Sequence, residues 1–177
     1  MTLRTRLLGM IAVLALASPA SAALKPGARA PDFVTTGALA GKPFQLHLKR
    51  ELRKGPVVLY FYPKAYTKGC TLEARAFSEA NPQFVAAGAR VIGLSADDLP
   101  TLKRFSVEHC RGKFPVATAS AKIIQDYDVK LPVVSMSNRT SFVIASDGRI
   151  VFVHSDLDWK DHVAKTLAAV RALRPGG

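Results

Sequence analysis

The segment around Cys70 constrains the fold more than any other part of the chain. Residues 57–62 form an uninterrupted apolar run, which is typical of a strand buried on both faces. A loop at residues 63–71 contains Cys70, and residues 72–77 then begin a helix. This order places the cysteine at a helix N-terminus, where free backbone N–H groups and the helix dipole stabilise negative charge. The environment favours the reactive thiolate, and nearby cations act in the same direction: Lys64, Lys68 and Arg75.

Residues 1–22 have the pattern of a secretory signal peptide. Two arginines form a positive n-region, residues 7–17 are uncharged and apolar, and residues 20–22 form an Ala-Ser-Ala cleavage signal. The apolar run is shorter than the roughly 20 residues that a membrane span needs. The alternative is an uncleaved N-terminal anchor. We expect a single mature domain at residues 23–177, exported to a bacterial periplasm or secreted, with no stable membrane insertion after cleavage.

The formal net charge of +12 at pH 7 suggests nucleic acid or an anionic membrane as possible partners. The basic residues are scattered, however, and their densest cluster, at residues 49–54, is interrupted by Glu51. The sequence also lacks the interleaving of basic and aromatic residues that is typical of RNA binding. We therefore expect no nucleic-acid partner and attribute the charge to solubility.

The two cysteines of the chain, Cys70 and Cys110, allow two interpretations. In an exported protein they suggest a structural disulfide, which would fit a non-catalytic binding module. The helix N-terminus at Cys70 instead favours a reactive thiol. The four histidines have no metal-ligand spacing, so we expect no metal site and treat them as structural.

Strand and helix patterns alternate along the rest of the chain. The predicted strands are residues 32–35, 44–48, 57–62, 91–95, 114–117, 141–145 and 149–154, and the predicted helices are residues 71–87, 99–109, 120–127 and 159–173. The first two strands form an N-terminal hairpin, and Asp147-Gly148 predicts a second hairpin near the C-terminus. Residues 49–54 are predicted to be a charged connector. This order predicts an α/β domain with a central mixed sheet flanked by helices.

Several motifs resemble one enzyme family. Pro63-x-x-x-Thr67-x-x-Cys70 resembles the peroxiredoxin active-site pattern PxxxTxxC, and it follows the expected strand. Residues 60–64 and 69–74 resemble the PrxQ, or bacterioferritin-comigratory, branch. Further matches are Gly93-Leu94-Ser95, Phe114-Pro115 and Arg139-x-Ser141-Phe142-x-Ile144. The resemblance extends over residues 31–173 and implies a thioredoxin-like fold that carries the N-terminal hairpin as an extension.

The resemblance implies a thiol-dependent peroxidase that reduces hydrogen peroxide and organic hydroperoxides. Its Cys70 thiolate would attack the peroxide and become a sulfenic acid, which an external thiol, either a thioredoxin-like protein or a small thiol, would finally reduce. The other catalytic residues that it implies are Thr67, Arg139 and Pro63, with Glu73 and Gly69 in support. It implies no metal or organic cofactor.

Each of these assignments has a simpler alternative. Thr67 is suited to cap a helix, Arg139 has polar neighbours typical of a surface, and Glu73 is suited to the first turn of a helix. Trp159 is predicted to be a packing residue of the last helix.

Cys110 is the predicted resolving cysteine. Many PrxQ-type proteins carry a second cysteine five residues after the first, but here that position is Arg75. Cys110 lies at the end of the helix at residues 99–109, where some peroxiredoxins of this type place their resolving cysteine. It would attack the sulfenic acid at Cys70 and form an intramolecular disulfide. The alternative is a bystander thiol in a one-cysteine enzyme that an external thiol resolves.

Overall fold

A computed structural model describes residues 23–173, so the predicted signal peptide at residues 1–22 lies outside the described residues. The elements in chain order are β1 Val34–Leu39, β2 Lys42–His47, α1 Leu48–Leu52, β3 Val57–Phe61, α2 Lys68–Ala86, β4 Arg90–Ser95, α3 Leu99–Glu108, β5 Val116–Thr118, α4 Ala121–Asp126, β6 Thr140–Ile144, β7 Ile150–Ser155 and α5 His162–Ala172. None of the helices in this part of the chain is both long enough and apolar enough to cross a membrane.

The strands form one sheet in the order β2-β1-β5-β4-β3-β6-β7. Strands β3, β4 and β5 run parallel, and the remaining neighbours are antiparallel. The prediction of a central mixed sheet flanked by helices is confirmed. The hairpin of β1 and β2 joins this sheet through β5, so it extends the central sheet at one edge.

Strand β3 lies inside the sheet, between β4 and β6, and apolar side chains cover both of its faces. All five of its residues are 0% exposed. Val58 and Tyr60 pack into a cluster with side chains from α2, α3 and α5. Leu59 and Phe61 pack into a second cluster with side chains from α1 and α4. Burial of each such side chain stabilises the fold by about 1.5–3 kcal/mol, and the end of β3 is thereby fixed.

Two element boundaries differ from the sequence predictions in ways that affect the site. Helix α2 begins at Lys68 and not at residue 71, because Thr67 has an extended backbone with φ −73° and ψ 150° and occupies the N-cap. Cys70 therefore lies inside the first turn. Helix α5 begins at His162 and not at residue 159, so Trp159 belongs to the preceding loop.

The predicted charged connector at residues 49–54 was also wrong in part. Residues Leu48–Leu52 form a short helix, because Leu48 and Leu52 lie four residues apart and are both buried. Their burial closes the sheet face that lies opposite α2.

Candidate active site

The candidate site lies at the edge of the sheet where the parallel strands β3 and β4 end. The chain leaves β3 after Phe61, crosses the loop at residues 62–67 and enters α2. Cys70 is 2% exposed in the first turn of that helix. The first intrahelical backbone bond runs from the N–H of Thr71 to Thr67 O at 2.9 Å. By helix geometry the preceding N–H groups, including those of Gly69 and Cys70, have no acceptor within the helix and can bind an anion.

Arg139 lies next to Cys70 because β6 runs antiparallel to β3. Thr140, the first residue of β6, pairs with Phe61, the last residue of β3, so the residue before β6 reaches the start of α2. The Arg139 Nη2 atom lies 3.5 Å from Cys70 Sγ. A guanidinium donor at this place stabilises a sulfur that carries negative charge.

Two further contacts fix the Arg139 guanidinium, which is 5% exposed. Its Nε donates to Leu157 O at 2.9 Å, and its Nη1 donates to Glu73 Oε2. Glu73 therefore contacts the Arg139 guanidinium directly. Burial raises the pKa of Glu73 to about 8, and the adjacent guanidinium opposes this rise. Burial alone would lower the pKa of Arg139, but Glu73 and Cys70 raise it above its ordinary value, so the guanidinium stays charged.

Gly69 permits the close approach of Arg139 to the helix. A Cβ atom added at Gly69 would lie 3.1 Å from Arg139 Nη2 and 3.8 Å from Trp159 Cδ1. The prediction that Trp159 packs within the last helix was wrong, because its ring lies beside the start of α2. Any larger side chain at position 69 would compete with Arg139 for the space next to Cys70.

Thr67 and Pro63 belong to the loop that precedes α2. The Thr67 hydroxyl donates to Lys64 O at 2.9 Å, and it makes no capping bond to the described residues of the helix. Since its proton is used in this way, the hydroxyl can only accept a hydrogen bond from a molecule at the site. Pro63 is half-buried in the same loop.

Sequence reasoning missed two residues that hold this loop in place. Asp97 Oδ2 accepts from Ala65 N at 2.7 Å and from the Ser95 hydroxyl at 2.8 Å. The buried Ser137 hydroxyl donates to Tyr62 O at 3.1 Å. Asp97 was detectable in principle, since it follows the buried strand parallel to β3 and so lies at the same sheet edge.

Replacing Asp97 with alanine is expected to lower the free energy of unfolding by about 1–3 kcal/mol, because the Ala65 N–H and the Ser95 hydroxyl lose their acceptor. It should also slow the peroxide reduction that the family resemblance implies, since the loop that leads to Cys70 is then held less firmly. The matched control is Asp98→Ala. Asp98 caps α3 through the Thr101 N–H at 2.9 Å and does not bind the loop. Its loss should cost about 1 kcal/mol of stability and leave the reaction rate unchanged. Chemical denaturation and stopped-flow kinetics measure both effects, and equal rate losses in the two variants would contradict this role of Asp97.

Cys110 follows the end of α3 and is 0% exposed. Both cysteines are free thiols in the structure, and both belong to the same apolar cluster. Burial raises the pKa of the Cys110 thiol far above its ordinary value. Tyr66 connects the loop at residues 62–67 to the C-terminal part of α3. It has φ +64°, and its ring packs against Phe105 and His109 at centroid distances of 5.4 and 5.3 Å.

Comparisons with known proteins identify the family. The AhpC/TSA family matches residues 26–153. A peroxiredoxin of Mycobacterium tuberculosis strain H37Rv is 35% identical over 130 residues, which is 71% of this chain and 84% of that protein. Chloroplastic peroxiredoxin Q of Oryza sativa subsp. japonica is 31% identical over 67% of this chain, and the match spans 55% of the rice protein.

A solved structure agrees with these relatives. The crystal structure of peroxidoxin BcpB from Mycobacterium tuberculosis superposes with a TM-score of 0.75 at 32% identity, covering 86% of this chain and 99% of that one. The residues that match the AhpC/TSA family, 26–153, include the loop at residues 62–67, the first turn of α2 and Arg139. The chain therefore belongs to the AhpC/TSA family, in its PrxQ or bacterioferritin-comigratory branch.

Proposed function

We propose that this thiol peroxidase reduces hydrogen peroxide and organic hydroperoxides, with Cys70 as the peroxidatic cysteine. The observation that carries the proposal is the 3.5 Å contact between Arg139 Nη2 and Cys70 Sγ in the first turn of α2. The Arg139 guanidinium and the N-terminus of α2 both lie beside the Cys70 sulfur. This arrangement stabilises both a thiolate and the negative charge that develops on a departing oxygen.

The reaction proceeds by one displacement at oxygen. The Cys70 sulfur attacks the terminal peroxide oxygen, an S–O bond forms and the O–O bond breaks, so that sulfur is oxidised by two electrons and becomes a sulfenic acid. The electron pair of the broken bond leaves on hydroxide or alkoxide, which takes a proton from solvent. Arg139 and the N–H of Gly69 stabilise the oxygens, Thr67 accepts a hydrogen bond from the peroxide, and Pro63 limits the access of water.

Peroxide consumption in the presence of dithiothreitol tests this function. Wild type should consume hydrogen peroxide and cumene hydroperoxide catalytically, and Cys70→Ser should consume neither faster than the thiol alone. A Cys70→Ser variant that retains the wild-type rate would reject Cys70 as the peroxidatic residue. Failure of the folded wild type to react would favour a non-catalytic binding module instead.

We further propose that Cys110 resolves the sulfenic acid. Its thiol loses a proton and attacks the Cys70 sulfur, an S–S bond forms, and the departing hydroxide combines with a proton to give water. The buried Cys110 first has to leave the apolar cluster, because a buried thiol is a weak nucleophile. Gly112, two residues further along and with φ +64°, gives the chain a point at which its backbone can change conformation.

Intact mass measured after one equivalent of hydrogen peroxide distinguishes resolution by Cys110 from resolution by an external thiol. We expect reduced wild type to lose the mass of two hydrogens as the disulfide forms, and Cys110→Ser to gain one oxygen as the sulfenic acid persists. Gain of one oxygen in both proteins would contradict resolution by Cys110 and identify a one-cysteine enzyme. Cys70→Ser serves as the control and should keep its mass.

We also propose export and an external thiol reductant. The pattern at residues 1–22 is the sequence feature that supports cleavage before Ala23 and a periplasmic or secreted mature domain at residues 23–177. In that location a thioredoxin-like protein or a small thiol would reduce the enzyme. N-terminal sequencing of the protein from a periplasmic extract tests this, and a retained Met1 would contradict it.

A further inference from the structure

A buried histidine, which the proposed mechanism does not use, lies behind the contact between Arg139 and Glu73. His162 is the first residue of α5 and is 0% exposed. Its Nε2 lies 2.9 Å from Asp156 O, and its Nδ1 lies 2.8 Å from the Ser141 hydroxyl. A carbonyl oxygen can only accept, so Nε2 carries a proton, and in the neutral ring Nδ1 accepts from the Ser141 hydroxyl. The neutral ring is thus held as its Nε2–H tautomer.

Glu73 presents one unpaired oxygen to this ring. Its Oε2 accepts from Arg139, but its Oε1 is buried without a hydrogen-bond partner among the residues that the structure describes. The Oε1 atom lies 3.8 Å from His162 Nδ1. His162 Nδ1 carries no proton, because its lone pair accepts from the Ser141 hydroxyl. It therefore cannot donate a hydrogen bond to an ionised Glu73. Glu73 therefore faces a cation through one oxygen and an uncharged acceptor through the other.

We propose that His162 is a positioning residue of the peroxidatic site, which withholds a donor from Glu73 and thereby leaves more of the Arg139 charge to act on Cys70. This proposal rests on the proposed role of Cys70. When Glu73 holds a proton, the charge of Arg139 is not balanced by a carboxylate and stabilises the Cys70 thiolate more strongly. A donor at position 162 would favour ionised Glu73 and would reduce that stabilisation.

The charges around the pair agree with this arrangement. Burial lowers the pKa of His162 to about 4, so the ring stays neutral at physiological pH. His154 and Arg139 also lower this pKa, whereas Asp156 raises it. The groups that face His162 come from several elements: Glu73 on α2, Arg139 before β6, His154 on β7 and Asp156 after β7. The His154 ring lies 4.5 Å from the His162 ring.

Two substitutions separate positioning from packing. His162→Gln replaces the Nδ1 lone pair with an amide that can donate to Glu73, whereas His162→Leu fills similar space without a donor. The readout is the pH dependence of iodoacetamide alkylation at Cys70, followed by peptide mass spectrometry. We expect His162→Gln to move the midpoint of thiolate formation upward by about one pH unit, and His162→Leu not to move it upward. His47→Gln is the control, since His47 pairs with Asp32 at 2.8 Å, away from the site.

Equal midpoints for His162→Gln and His47→Gln, or equal shifts for the Gln and Leu variants, would overturn the proposal. Spectra of ¹⁵N-histidine-labelled wild type provide a test that needs no variant: we expect one histidine to remain a neutral Nε2–H tautomer down to about pH 5. If every histidine titrates near pH 6.5, the proposal fails. Peroxide reactivity of wild type is measured separately, so a failure of the proposed peroxidase function is distinguishable from a failure of this role of His162.

Discussion

Replacing Arg139 with methionine is expected to slow the reaction of Cys70 with hydrogen peroxide by about 10²–10³-fold, the effect of removing one preorganised donor from a developing oxyanion. Arg139 is the buried cation that contacts Cys70 Sγ, at 3.5 Å. Methionine keeps much of the side-chain volume and removes the charge. Stopped-flow measurement of the second-order rate constant reads the effect directly.

Two comparisons make this result specific. Arg139→Lys keeps the positive charge but cannot reach three acceptors at once, so its rate should fall between those of wild type and the methionine variant. Arg149→Met removes an exposed arginine that pairs with Asp147 in the distal hairpin, and it should leave the rate unchanged. A methionine variant at position 139 with a rate within threefold of wild type would contradict the assigned role.

Replacing Glu73 with glutamine is expected to change how stability depends on pH. Burial raises the pKa of Glu73 to about 8 in the folded protein, from 4.5 in an exposed carboxyl group. The folded state therefore binds the proton more tightly, and this contribution to stability is complete below pH 4.5 and is lost as pH rises through about 8. Between pH 5 and pH 8 the free energy of unfolding of wild type should fall by roughly 3 kcal/mol through this group. The glutamine variant should lack that fall.

Denaturant titrations at several pH values test the prediction, because the difference between wild type and variant isolates the contribution of Glu73. Glu79→Gln is the matched control on the same helix. Glu79 is exposed and lies 3.5 Å from Arg111, so its loss should change stability by less than about 1 kcal/mol at every pH. Parallel stability profiles for wild type and the Glu73 variant would show that the carboxylate remains ionised throughout.

The reactive loop was predictable from sequence because its determinants are local. The apolar run of β3 fixes where the strand ends, and Cys70 follows within one loop and one helical turn. Helix α2 begins three residues before the predicted start, with Thr67 at its N-cap. Arg139 is separated from Cys70 by 69 residues, and only the family resemblance connected the two.

The support of the site could not be predicted in the same way. Asp97, Ser137 and His162 act through pairings between distant elements, and no short pattern marks them. The sequence pattern indicates only a structural role for His162. Its contacts depend on where α5 begins, and the pattern places that start three residues too early. The apolar stripe of α5 identifies the face that packs but does not identify the first turn.

Trapping of the sulfenic acid with dimedone tests the central claim most directly. Reduced Cys110→Ser protein, mixed with one equivalent of hydrogen peroxide in the presence of dimedone, should carry a single adduct that peptide mapping places on Cys70. The additional Arg139→Met substitution should slow its appearance by about 10²-fold. An unmodified Cys70 in folded protein, or an adduct that forms equally fast without Arg139, would contradict the claim that Cys70 reacts as a thiolate held by that arginine.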